Sequence, residues 1–200
     1  MKNTSKVLGF AAIIAVIVLN ALLITGCPGE DKDSYPSPYI ITKSGATFTL
    51  TKGDKTATGV TTLSDVIDGI RSDAQGKNCA IQFGDKTTVL DIGSGRVELD
   101  NDSYGTWGAI KLTGKITSKI SATGYGTISI GNLVSVTSSA DIENTDTMNY
   151  SSAVYNSGIL NITGGTIKSD PKAYAIYNRE IGKVTIDYSK TTIVGNIFGM

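Results

Sequence analysis

The residue types best suited to chemistry in this chain are carboxylates set two positions apart. Asp141 and Glu143, and again Glu98 and Asp100, alternate with apolar neighbours, so on a strand each pair falls on one face about 7 Å apart. Such a pair can act as acid and base in glycan cleavage, or it can be the ordinary solvated face of a strand whose other face is apolar. Histidine is absent, which removes imidazole as general base and as metal ligand. No G-x-S-x-G elbow occurs, and no glycine-rich loop ends in Gly-Lys-Ser/Thr, so neither an α/β-hydrolase nucleophile nor a phosphate cradle is supported. Ser169-Asp170-Pro171-Lys172 fits S-x-x-K in letters, but Asp-Pro reads as a turn where that motif needs a helix start. Asp100-Asn101-Asp102 opens like a calcium loop, then places Tyr104 at the fifth position and Lys111 at the twelfth, so an EF-hand is rejected. A lyase would need a basic residue beside its acids; of the arginines, Arg71 is spent on the helix, and Arg96 and Arg179 are isolated in sequence. We expect no cofactor, no metal and no catalytic residue.

Aromatic rings are the better candidates for binding. Tyr104, Trp107 and Tyr125 fall in the Gly-rich connections Ser103-Tyr104-Gly105-Thr106-Trp107-Gly108 and Gly124-Tyr125-Gly126, where exposed rings could stack on sugars. The competing reading is that Trp107 packs over an edge or covers a gap left by the glycines. Cys79, inside Cys79-Ala80-Ile81-Gln82-Phe83, reads as a small buried hydrophobe, since no histidine exists to activate it.

The second cysteine belongs to an address. Lys2 and Lys6 precede an apolar run from Val7 to Ile24, which ends in Ile24-Thr25-Gly26-Cys27. This resembles a bacterial lipobox, and the resemblance implies a signal peptide over 1–26, lipidation of Cys27, and residence in the cell envelope facing the periplasm or the exterior. An uncleaved anchor is the alternative, because the run approaches the length that spans a bilayer. Residues 27–38 then form the lipidated cysteine and a flexible tether carrying Pro28, Pro36 and Pro38. The 18 Lys and Arg balance 18 Asp and Glu, which disfavours a nucleic-acid partner and polybasic lipid attachment. Membrane association therefore rests on the acyl chains.

The elements that must position these residues are mainly strands, because Ile and Val far outnumber Leu, while Gly, at 23, Thr and Ser punctuate short runs. Residues 39–79 read as an N-terminal strand, with Phe48 and Leu50 on one face, followed by a helix. Leu63, Val66, Ile67, Ile70 and Ala74 give that helix one apolar stripe, Thr62 and Asp65 its cap, and Gly76 its end. From 80 to 200, short alternations recur, among them Val97-Glu98-Leu99, Ile128-Ser129-Ile130 and Val184-Thr185-Ile186. Ala153-Val154-Tyr155-Asn156 returns as Ala175-Ile176-Tyr177-Asn178, 22 residues later.

The segment from Ala153 to Ile167, AVYNSGILNITGGTI, resembles the coils of right-handed β-helix surface proteins in the pectin-lyase-like superfamily. The resemblance spans about residues 62–200. It implies an all-β, right-handed parallel β-helix of roughly five coils with Leu63 to Ala74 as an N-terminal capping helix. Stacked coils place Asn156 over Asn178 as an amide ladder and Tyr155 over Tyr177 as a ring stack. The end of the sequence, Thr192 to Met200, is apolar without a polar cap, so we expect either a truncated chain or self-association through that coil. Three functions follow, in order: a lipid-anchored, non-catalytic adhesion module for polysaccharide or a host or neighbour surface protein; a polysaccharide lyase or glycoside hydrolase fragment; and a structural envelope protein or stub of a longer passenger.

Overall fold

The computed structural model describes residues 35–85, 87–101 and 105–199, so the signal segment, Cys27, most of the tether and Tyr104 lie outside the described residues. Three strands open the described chain: β1 (Tyr39–Ser44), β2 (Thr47–Lys52) and β3 (Lys55–Val60) form an antiparallel meander. The sequence suggests one strand here. It is two, because Gly45 takes a φ of 59° and folds the alternation back on itself. β3 is hard to read in advance, since its buried residues, Ala57 and Val60, are three apart rather than two.

Helix α1 (Leu63–Ala74) forms as its apolar stripe requires, with Leu63, Val66, Ile67, Ile70 and Ala74 all buried. The Asp65 N–H donates to Thr62 Oγ1 at 3.2 Å, which satisfies one otherwise open donor of the first turn and contributes about 1 kcal/mol. The helix ends at Gln75, in a left-handed conformation with its N–H on Arg71 O, just before Gly76. It packs against β2, β3 and β6 (Val97–Leu99). A buried polar knot ties it down: Tyr39 Oη donates to Asp73, and the Lys52 ammonium reaches both Asp73, at 2.8 Å, and Tyr39 Oη.

Beyond the helix the chain winds into a parallel β-solenoid of about four turns. Sheet A continues from β1 through β4 (Cys79–Phe83), β7 (Ile110–Ser118), β9 (Ser135–Ser138), β12 (Ile159–Ile162) and β15 (Lys183–Ile186). Sheet B comprises β5 (Leu90–Asp91), the second half of β7, β10 (Asp141–Asn144), β13 (Gly165–Lys168) and β16 (Thr191–Val194). Sheet C runs β6, β8 (Gly126–Ile130), β11 (Ser152–Asn156), β14 (Tyr174–Asn178) and β17 (Asn196–Phe198). β7 serves two sheets because it turns at Gly114, whose φ is +82° and where a Cβ would stand 2.1 Å from Phe83 O. Only glycine fits that corner.

The short strands are stable because like residues stack. On sheet B, Leu90, Ile116, Ile142 and Ile167 align in register and are all buried. On sheet C, Val97, Ile128, Val154 and Ile176 do the same. Stacking, rather than strand length, removes apolar area from water, at roughly 25 cal/mol per Å². The amide ladder is present, with Asn156 Nδ2 donating to Asn178 Oδ1 at 2.7 Å, and Tyr155 lies on Tyr177 with ring centroids 5.4 Å apart. The 22-residue spacing belongs to the step from β11 to β14: register partners stand 26 apart between β8 and β11 of the same sheet (Ile128 and Val154), 24 apart on sheet A (Leu160 and Val184) and 25 apart on sheet B (Ile142 and Ile167). The first turn is wider still, with Val97 beside Ile128. Loops of different length between the sheets absorb the difference.

Candidate functional site

Strand alternation that buries the sheet B isoleucines must turn their neighbours outward. Across the turns those neighbours form two rows. Lys115 lies beside Asp141, and Thr117 beside Glu143, which in turn lies beside Lys168. With Val89 and Thr166 they line an open groove of about 310 Å³. Asp141 and Glu143 thus share one face, as their spacing requires.

Each acid in the groove holds a lysine from a neighbouring turn. The Lys115 ammonium is 3.4 Å from Asp141, and that of Lys168 is 2.8 Å from Glu143. Asp141 also accepts the Thr166 backbone N–H at 2.9 Å. These side chains are solvent-accessible, so the pairs contribute about 1 kcal/mol each at most, and the face is not there for stability. What it supplies is a dense array of ammonium donors, carboxylate acceptors and threonine hydroxyls, balanced in charge. Each carboxylate faces a lysine of a neighbouring turn.

The second carboxylate pair is placed elsewhere. Glu98 binds Arg96 at 2.7 Å, while Asp100, past the end of β6, meets the buried Arg71, which donates to its backbone carbonyl at 2.6 Å. The aromatic candidates do not form a common platform. Trp107 is 7% exposed and packs near the Arg71 guanidinium, its indole N–H without a hydrogen-bond partner among the described residues. Tyr125 is 39% exposed, and the Arg96 guanidinium sits 3.9 Å from its ring centroid, covering one face. Each ring is engaged by a different arginine.

Cys79 is buried, and burial pushes its thiol up to about 12, with Lys52 opposing the shift only in part. It stays a neutral thiol at physiological pH. Among the described residues no cluster of three Cys, Asp or Glu could hold a metal, and no helix is long and apolar enough to cross a membrane. Lys115 and Lys168 were not apparent from the sequence. Their signal is an opposite charge 25 or 26 residues away, visible only once the coil period of sheet B is known.

The fold and this face together define a class: a short parallel β-solenoid with a charge-balanced lateral groove. No family model, curated protein or solved structure matches the chain.

Proposed function

We propose that this chain is a lipid-anchored protein of the bacterial envelope whose solenoid is a non-catalytic adhesion module, binding a hydroxyl-rich polymer, a glycan, on the sheet B groove. The observation that carries the reading is the groove itself: two rows of Lys, Asp, Glu and Thr, repeated at the strand spacing of ~4.8 Å along the solenoid axis. An extended chain of hydroxyls can exchange hydrogen bonds with such rows at every turn, and a groove on rigid strands meets it without an ordering cost. In this reading the solenoid is right-handed and pectin-lyase-like, its three-strand units count as five coils, α1 caps the N-terminal end, and Cys27 carries the lipid. The protein faces the periplasm or the exterior.

One observation favours a second reading, a polysaccharide lyase or hydrolase. Asp141, Glu143, Lys115 and Lys168 are the acids and bases that such an enzyme would need on one lateral face. Passing the purified full chain over a polysaccharide panel, with assays for retention and for new reducing or unsaturated ends, separates the two. Retention without cleavage, weakened by Lys115→Ala with Lys168→Ala, supports binding. Cleavage that disappears in Glu143→Gln supports the enzyme. A folded chain that neither binds nor cleaves removes both.

A further inference from the structure

The corner where sheet C turns into sheet A gathers exposed aliphatic side chains. Leu133 is 82% exposed, Ile159 43% and Ile181 57%, and these are all the exposed leucines and isoleucines among the described residues. They sit at one corner of successive turns. Leu133 lies in the turn closed by the Val134 N–H on Gly131 O, and Ile181 in that closed by the Gly182 N–H on Arg179 O. Ile159 begins β12 between them, its N–H on Val134 O, while the Lys183 N–H bonds Gly158 O. Ile159 pairs with Ser135 and Lys183, so it stands two residues further along the chain than Leu133 and Ile181, and the three side chains share one corner of successive turns.

Leu133 is also strained. Its φ is 64°, and it shares a positive φ among non-glycine described residues only with Gln75, the helix cap. Glycine or asparagine would adopt that conformation at lower cost, so the turn holds a large apolar side chain in water against local preference. Four residues upstream of Ile159 and Ile181 stand the stacked rings of Tyr155 and Tyr177, half-buried on the outer face of sheet C. Aliphatic side chains at the tip with tyrosines behind them match the depth profile of a membrane interface.

We infer that this corner rests on the lipid bilayer, dipping Leu133, Ile159 and Ile181 among the headgroups. The inference builds on the lipid-anchored reading above. Residues 28–38 separate Cys27 from β1, a reach of about 36 Å at ~3.3 Å per residue, so the solenoid stays near the bilayer. β1 belongs to sheet A, and the Lys111 ammonium of the same sheet lies over the Tyr35 ring, so the described chain begins on a sheet that borders this corner. Confinement on that scale raises the effective concentration of lipid enough for three side chains to matter. Exposed Arg179 and Lys183 flank Ile181 against the single acid Glu180, which suits anionic headgroups. The chain passes from sheet A to B to C within each turn, so this is the one corner that sheet B does not border. Resting on it presents the groove to the surroundings.

The test uses the full chain reconstituted in phosphatidylethanolamine and phosphatidylglycerol vesicles containing nitroxide-labelled phospholipid. One fluorophore is attached through Leu133→Cys or Ile181→Cys, or through Thr117→Cys or Thr166→Cys in the groove, while buried Cys79 stays unlabelled. The expected result is quenching at 133 and 181 at least threefold greater than at 117 and 166, lost when Ile159→Asp is added to either corner label. Equal quenching at corner and groove overturns the inference, as does burial of the corner label by a second copy when protein concentration rises without vesicles. Mass analysis of Cys27 decides the anchor separately. If it carries no lipid, Cys27→Ser forms of the labelled chains, held to chelator lipid by an N-terminal oligohistidine, still report whether the corner meets the bilayer.

Discussion

The outer face of sheet B and the outer face of sheet C with its corner are built on the same interior and present opposite chemistry. Inward, both stack Ile, Val and Leu from turn to turn, and these residues are all buried until the last turn. Outward, sheet B carries Lys115, Asp141, Glu143 and Lys168, whereas sheet C carries Tyr155, Tyr177 and Phe198 in a stack, then Ile159 and Ile181. A solenoid thus separates two tasks by strand alternation. Inward positions specify the fold, and outward rows are free to specify what each side meets. Substitutions made at the same depth on the two sheets can break that comparison or sharpen it.

The largest effect belongs to the shared interior. Ile142→Ala removes a buried side chain packed between Ile116 and Ile167, and we expect a loss of about 2–5 kcal/mol in chemical denaturation, with Val154→Ala on sheet C losing somewhat less because valine is smaller. A loss on one sheet only would mean that the two faces do not share one core. Next comes the ladder. Asn156→Ala deletes donors to Asn178 Oδ1, Gly158 O and Lys183 O in a buried site, so about 1–3 kcal/mol should be lost. Replacing the exposed partner of a groove acid should do far less: Lys168→Ala should shift stability by about 1 kcal/mol or less while weakening polymer retention. If it destabilises as much as Asn156→Ala, the sheet B rows are structural and the groove reading falls.

How much of this could be read in advance follows the same division. α1 was legible because five apolar residues at helical spacing leave no competing pattern, and Thr62 and Gly76 bound it chemically, whereas the left-handed cap at Gln75 carries no signal of its own. Asn156 over Asn178 and Tyr155 over Tyr177 were legible because Ala153 to Asn156 and Ala175 to Asn178 are nearly the same four residues, stacked in register. Lys115 and Lys168 were not, since the outward rows of sheet B carry a different residue in each turn, and no repeated motif marks their 25- or 26-residue period. The packing of Trp107 against Arg71 depends on α1 folding onto the first turn, a tertiary contact with no local signature. Asp141 and Glu143 were placed on one strand face correctly, but their lysine partners come from other turns.

The smallest effect tests whether loop acids outside both faces act independently of them. Asp85 is fully exposed, yet its carboxyl is held down at about 2, first by the Thr87 backbone N–H, then by the Thr87 and Thr88 hydroxyls and the Thr88 N–H. A folded value below the unfolded one means that its contribution is complete above the ordinary aspartate value of about 3.9 and fades as pH falls toward 2. A carboxyl-detected titration should therefore find Asp85 still ionised at pH 3, and Thr87→Ala should bring its midpoint back toward the ordinary range. Polymer retention should be unchanged in that variant, because Asp85 belongs to the loop between sheets A and B, and none of its hydrogen bonds reaches the groove rows. A change in retention would show that the loop and the groove act as one unit, and that the faces of this solenoid are less separable than their alternation implies.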